Sequence, residues 1–182
     1  MPAQQRLWIR RAPWLILCVA TTVMCPSRAF AQNEHQSSWL ADLAKHVVID
    51  PTTYGPAIVG YDATMRDWNS SQPFFRNGFV ERNPRFTSSG LPNDVAVSYG
   101  DGKRRILADA LATLEISAIN NVSDRLIERL LIERHPNHRK LFRALGWAER
   151  VSFAAYLSYQ LSAAHYRQWQ SNEQTLGRLG LK

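Results

Sequence analysis

The chain has 182 residues, a formal net charge of +7, 45% hydrophobic and 20% charged residues, and a mean hydropathy of -0.30. Those figures fit one ordinary globular domain with appendages. They exclude a fibrous, collagen-like or grossly disordered chain and argue against a membrane protein that is apolar throughout.

The charge is unevenly distributed. Residues 1–31 hold Arg6, Arg10, Arg11 and Arg28 and no acid. That leaves 22 − 4 = 18 Lys+Arg against 15 Asp+Glu, so residues 32–182 carry only +3. The leader reads as a secretory signal peptide. Arg6, Arg10 and Arg11 form a positive start, WLILCVATTVMC an apolar centre, and Ala29-Phe30-Ala31 a small-residue site for cleavage before Gln32. The apolar run is about 14 residues, short of the roughly 20 that span a bilayer. An uncleaved anchor, a mitochondrial leader, twin-arginine export and lipoprotein attachment at Cys25 are the alternatives. Both cysteines, Cys18 and Cys25, lie in this segment. A cleaved chain then has no disulfide, zinc–thiolate site or cysteine nucleophile. The expected location is exported, periplasmic or membrane-associated in a bacterial envelope.

Residues 32–38 are polar and read as disordered. Ser38 caps a short helix from Trp39 to about His46, and Asp50-Pro51 punctuates the chain. A second helix is expected from Pro56 to about Asn69, with Ile58, Tyr61, Met65 and Trp68 on one face. Residues 70–102 read as a long irregular loop, because Pro73, Gly78, Pro84, Gly90, Pro92, Gly100 and Gly102 interrupt any helix. Phe74, Phe75, Phe79 and Phe86 argue that this loop packs rather than wanders, and residues 94–99 could form a short strand.

Two long helices follow, from about Lys103 to Arg134 and from about Asn137 to Ser171, joined by His135-Pro136-Asn137-His138. In the first, Leu107, Leu111, Leu114, Ala118 and Val122 form an apolar stripe, with Ile106, Ile116, Ile127 and Leu131 beside it. That pattern suits a central helix. In the second, Val151 to Tyr166 is uncharged and spans about 24 Å, short of a hydrocarbon core of about 30 Å. Ala148, Ser152 and Ala155 share a face suited to close packing. Residues 172–182 read as a frayed tail. The expected fold is all-α: a small helical bundle dominated by a long antiparallel helical hairpin, with an irregular, aromatic-rich loop packed against it and residues 39–171 as its domain.

Few residues point to chemistry. Glu133 to His138 holds two histidines and a carboxylate, but Pro136 breaks the continuous helix that a metal motif needs. It reads as a solvated turn, and no metal or cofactor is expected. His165 on an apolar helix reads as a packed histidine. Lys103, Arg104 and Arg105 open a helix whose dipole is already positive there, an arrangement suited to an anion. Arg76, Arg82 and Arg85 alternate with phenylalanines in the loop and would extend that anion-binding surface if they fold back toward it. Anionic lipid headgroups or an envelope protein are the expected partners, and the small residual charge weighs against nucleic acid.

Asp62-Ala63-Thr64, followed by Gly78-Phe79-Val80-Glu81-Arg82-Asn83-Pro84, resembles a pattern in small uncharacterised bacterial helical proteins of the envelope, some of them membrane-embedded. There an Asp–Thr helix leads through a glycine to an E-x-N-P turn. The resemblance covers about 25 residues of the chain, roughly the reach of one such motif, and implies a helical envelope protein with no assigned activity. The sequence therefore favours a non-enzymatic binding or scaffolding protein. The alternatives are an integral membrane protein anchored by the last long helix, or an envelope hydrolase using Asp62, Glu81 and His138.

Overall fold

The computed structural model describes residues 34–181, and residues from Ser38 onward form one compact unit. The leader and its cleavage site lie outside the described residues. The fold is all-α, with helices α1 (Glu34–Ile49), α2 (Pro51–Arg76), α3 (Tyr99–Arg134) and α4 (Arg139–Leu179). Short 3-10 turns cover Pro84–Phe86 and Pro136–His138.

Each helix runs past at least one of its expected boundaries. α1 begins at Glu34, inside the segment read as disordered, because neither glycine nor proline interrupts residues 34–49. α2 starts at Pro51 because Asp50 caps it, accepting from the Thr52 N–H at 3.1 Å. It continues through Pro73, which gives up its own bond to the carbonyl one turn back, to Arg76, where the Asn77 N–H closes the last turn on the Phe74 carbonyl at 3.0 Å. α3 starts at Tyr99 because the Ser98 hydroxyl accepts from the Asp101 N–H at 3.1 Å. α4 continues to Leu179, through the residues read as a frayed tail. Asn172 is buried against α2 and holds the last turns, and Gly180 ends the helix at φ 64°.

The irregular segment is thus shorter than expected, residues 77–98. Residues 94–99 form no strand. They make two isolated antiparallel bridges, Glu81 to Asp94 and Thr87 to Ala96. Val97 N–H donates to the Phe86 carbonyl at 2.8 Å, which holds Phe86 over the bundle.

α2 packs against both α3 and α4, most extensively against α4. One end of the bundle is apolar. Trp68, Phe86 and Ile106 are buried together, with Met65, Phe75, Ala96 and Val97 around them. The Trp68 ring lies 5.2 Å from Phe86 and 5.6 Å from Phe75, centroid to centroid, and its Nε1–H donates to the Tyr99 carbonyl at 3.3 Å. Gly102 admits this indole, because a Cβ there would overlap the Trp68 ring.

The rest of the interior mixes small apolar residues, Val47, Ala57, Ala63 and Ala154, with polar ones, and parts of the expected core faces turn outward. α3 turns Thr113, Ser117 and Asn121 inward, while Leu107 and Leu111 of the expected core stripe are 51% and 57% exposed. Ile58 on α2 is also exposed. On α4 the inward residues are Gly146, Arg150, Ala154 and Ser162, four or eight apart, whereas Ala148, Ser152 and Ala155 face out. The polar interior is cross-linked. Asn121 Nδ2 donates to the Thr52 and Thr53 hydroxyls at 2.9 and 2.7 Å. Buried Arg150 reaches Asp124, Glu128 and Asp50, and Arg125 pairs with Asp50 at 2.7 Å. Gly146 leaves the room this ion cluster needs, since a Cβ there would lie 2.7 Å from a Glu128 carboxylate oxygen. Small and polar residues let the helices approach closely, and leucines too bulky for that spacing are displaced outward. No helix among the described residues is long and apolar enough to cross a membrane.

Candidate functional site

A cleft of about 490 Å³ opens beside the apolar end, between the second half of α2, residues 79–86 and the last third of α4. Its walls carry the rings of Phe74, Phe75 and Phe79, and its polar groups converge from three segments. α2 supplies Thr64, Asp67 and Ser71, one face of the helix at spacings of three and four. α4 supplies His165, Gln168 and Asn172 with the same spacing. The 79–86 segment supplies Glu81, Arg82 and Asn83.

These groups are held in place. His165 Nδ1 lies 2.7 Å from Asp67 Oδ2, which fixes the imidazole across the helix interface. Asn172 Nδ2 donates to the Ser70 and Ser71 hydroxyls at 3.0 Å and, more weakly, to Asp67 Oδ1 at 3.4 Å. Glu81 is fixed by its own backbone: the Asn83 N–H donates to Glu81 Oε1 at 2.6 Å. Asn83 in turn caps the 3-10 turn by accepting from the Arg85 N–H at 3.0 Å.

Burial pushes the Glu81 carboxyl above its ordinary range, against the backbone N–H groups of Asn83 and Arg82 that favour ionisation. The neighbouring Asp67 charge pushes in the same direction as burial, and His165 opposes it. Aromatic walls, an oriented imidazole and a reluctant carboxyl together can hold a small ligand with an apolar body and a polar head, or exchange a proton with it.

The residues singled out in the sequence distribute unevenly. Glu81 and Arg82 line the cleft. Asp62 faces another way, accepting from Arg66 Nε and the Tyr166 hydroxyl, both at 2.8 Å. The first of these donors, then the second, holds its carboxyl below the usual range. His138 stands in the turn before α4 against Phe142, away from the cleft. His165, read as a packing residue, is one of its polar centres. Asp67, Gln168 and Asn172 were missed. Their signal lay in polar residues recurring at helical spacing on α2 and α4, a pattern easily taken for a solvated face.

Of the basic residues, Arg105 donates to the Arg85 backbone carbonyl. There Arg85 pairs with Asp109 and Arg104 with Asp101. Arg76 lies in the last turn of α2, and exposed Lys103 sits 5.5 Å from the Tyr99 ring. No group of three or more His, Cys, Asp or Glu able to hold a metal occurs among the described residues. Compared with protein-family models, curated proteins and solved structures, the chain shows no match to any of them.

Proposed function

We propose that the chain is a non-enzymatic binding protein of the bacterial envelope whose cleft takes a small organic cation. Glu81 carries this reading. Its desolvated carboxyl is held by backbone N–H donors and faces aromatic walls. An ammonium group would favour its ionised form, and the rings would receive the ligand's apolar body and the cation's field. The finer architecture belongs to the same reading: α3 and α4 as an antiparallel hairpin, with the aromatic loop laid against the bundle. Its support is the contact of Asn120 with Glu149 and of Arg150 with Asp124, and the stacking of Phe86 on Trp68.

Titration calorimetry with butylammonium and with butyrate, which differ mainly in charge, tests the reading. Butylammonium binds and butyrate does not. Glu81→Gln keeps the size of the side chain and lowers the affinity for butylammonium by about tenfold or more, the worth of one charge-assisted contact. Equal binding of both probes, or an unchanged affinity in Glu81→Gln, overturns it.

The oriented His165–Asp67 pair beside the Glu81 carboxyl, whose pKa burial raises, favours hydrolysis as a second reading. In that case His165→Gln abolishes turnover of an ester substrate while leaving the unfolding midpoint in place.

A further inference from the structure

We propose that the outward face of α4's first half, with the turn that precedes it, lies on an anionic lipid bilayer. At 3.6 residues per turn, Leu141, Ala144, Leu145, Ala148, Val151 and Ala155 fall within one arc of about 120°. All six are exposed. The arc carries no charge, and the residues beneath it on the inward side are the polar interior, so its apolar atoms have no partner within the bundle.

Charge decides what covers this arc. From Arg134 to Ala148 the chain contains Arg134, Arg139, Lys140 and Arg143 and no Asp or Glu. All four cations are exposed, and none takes part in an ion pair among the described residues. The acid just before them, Glu133, is already engaged by Arg129 at 2.7 Å. The basic residues at the start of α3 are engaged within the fold: Arg104 pairs with Asp101, Arg105 donates to the Arg85 carbonyl, and Lys103 lies 5.5 Å from the Tyr99 ring. Uncompensated cations bordering an uncharged, apolar helical arc match a surface of negative headgroups above acyl chains. A second copy of this face would bring eight cations together across the interface, which opposes self-association. Trp147 projects on the same flank as Lys140 and Arg143, 63% exposed, suited to the headgroup level.

The turn is prepared for this position. The His135 N–H closes α3 on the Leu131 carbonyl at 2.9 Å, Pro136 opens the 3-10 turn, and the Phe142 ring lies 6.2 Å from His135 and 6.4 Å from His138. The four cations are therefore presented by an ordered segment, and little conformational freedom is lost on docking.

Vesicle flotation of the full chain at low salt is the test, with the leader identical in every variant. The chain binds vesicles containing phosphatidylglycerol and binds pure phosphatidylcholine far less. Replacing Arg134, Arg139, Lys140 and Arg143 together by glutamine lowers the partition onto anionic vesicles by about 100-fold or more. The same replacement of Lys103, Arg104 and Arg105 leaves it within about threefold. Leu141→Asn with Leu145→Asn weakens the part of the binding that persists at high salt. Far-ultraviolet circular dichroism of each variant checks that α4 remains helical, as glutamine allows. Equal binding to both vesicle types overturns the proposal, as does a fourfold variant that is folded and binds like the wild type. Self-association through this face without vesicle binding also overturns it.

Discussion

The two ends of this bundle are held by different forces. Around Trp68 the helices meet through Ile106 and through the Phe86 ring stacked on the indole. Around Arg150 they meet through Asp50, Asp124, Glu128 and Arg125, with Asn121 tying α3 to the hydroxyls that open α2. The apolar end draws on burial from water, which depends little on pH. The charged end depends on every partner being present, because each buried charge is expensive unless paired. The comparison suggests why the cleft lies beside the apolar end. Trp68 and Phe86 line it, and because apolar contact and the Asp67–His165 bridge already join α2 to α4 there, the Glu81 carboxyl is left out of the helix packing.

The largest expected effect removes the apolar end's anchor. Trp68→Ala deletes the ring that touches Phe75 and Phe86 and for which Gly102 makes room. It lowers the free energy of unfolding by about 4 kcal/mol in urea titration. The loop should loosen as well, so hydrogen exchange at Val97, whose N–H bonds to Phe86, accelerates. If Trp68→Ala costs less than a conservative change at Arg150, the apolar end is not the stronger of the two.

Arg150→Met comes next, at about 3 kcal/mol. Methionine fills much of the same volume but leaves Asp124 and Glu128 facing each other without their shared guanidinium. Adding Asp124→Asn and Glu128→Gln to Arg150→Met should recover more than half of the loss. Failure to recover it would mean that the arginine acts through packing alone.

Acid should act with opposite sign on Asp50 in the charged end and on Glu81 in the cleft beside the apolar one. Burial pushes Asp50 upward, but hydrogen bonds from Thr52 and Arg125 outweigh it and hold its pKa below the ordinary value. Its contribution is complete above the unfolded-state pKa and disappears as the pH falls through the lower folded value. Glu81 runs the other way: its folded pKa is raised, so its contribution is present below the unfolded value and lost as the pH climbs through the folded one. Asp50→Asn therefore flattens the acid limb of a stability–pH curve, whereas Glu81→Gln stabilises the protein at neutral pH. Butylammonium affinity rises with pH through the elevated Glu81 pKa and then levels off.

Much of the framework was legible in the sequence, for identifiable reasons. Asp50-Pro51 was visible as punctuation, and the carboxylate that caps α2 is the reason. Arg134 was the expected end of α3, with Pro136 close behind it. Gly102 misled, because a glycine that admits an indole looks like one that breaks a helix. The leucine stripe on α3 misled more deeply. Apolar periodicity marks the core only when the core is apolar, and here Thr113, Ser117 and Asn121 occupy that place. At the cleft, Glu81 stood out through its turn motif. Asp67 did not, because its partner His165 lies 98 residues away and no local pattern joins them.

The smallest predicted effect has the opposite sign and probes the polar interior at one atom. Ser117 is fully buried on α3, and its hydroxyl has no hydrogen-bond partner. A buried hydroxyl without a partner has lost its water and gained nothing, a cost of about 1–3 kcal/mol before relaxation. Rotation toward the carbonyl one turn back would recover part of that. Ser117→Ala removes the oxygen, keeps the close helix approach that a small residue permits, and substitutes a better helix former. The variant should unfold at higher urea concentration, with a gain of up to about 1 kcal/mol and an unchanged slope. The neighbouring Asn121→Ala is the control. It removes the donor to the Thr52 and Thr53 hydroxyls and must destabilise, since Thr53 stays buried. If both substitutions destabilise, then every polar atom along this seam contributes to holding α3 against α2, Ser117 included. The charged end would then be a continuous polar network instead of a few bonds set among small residues.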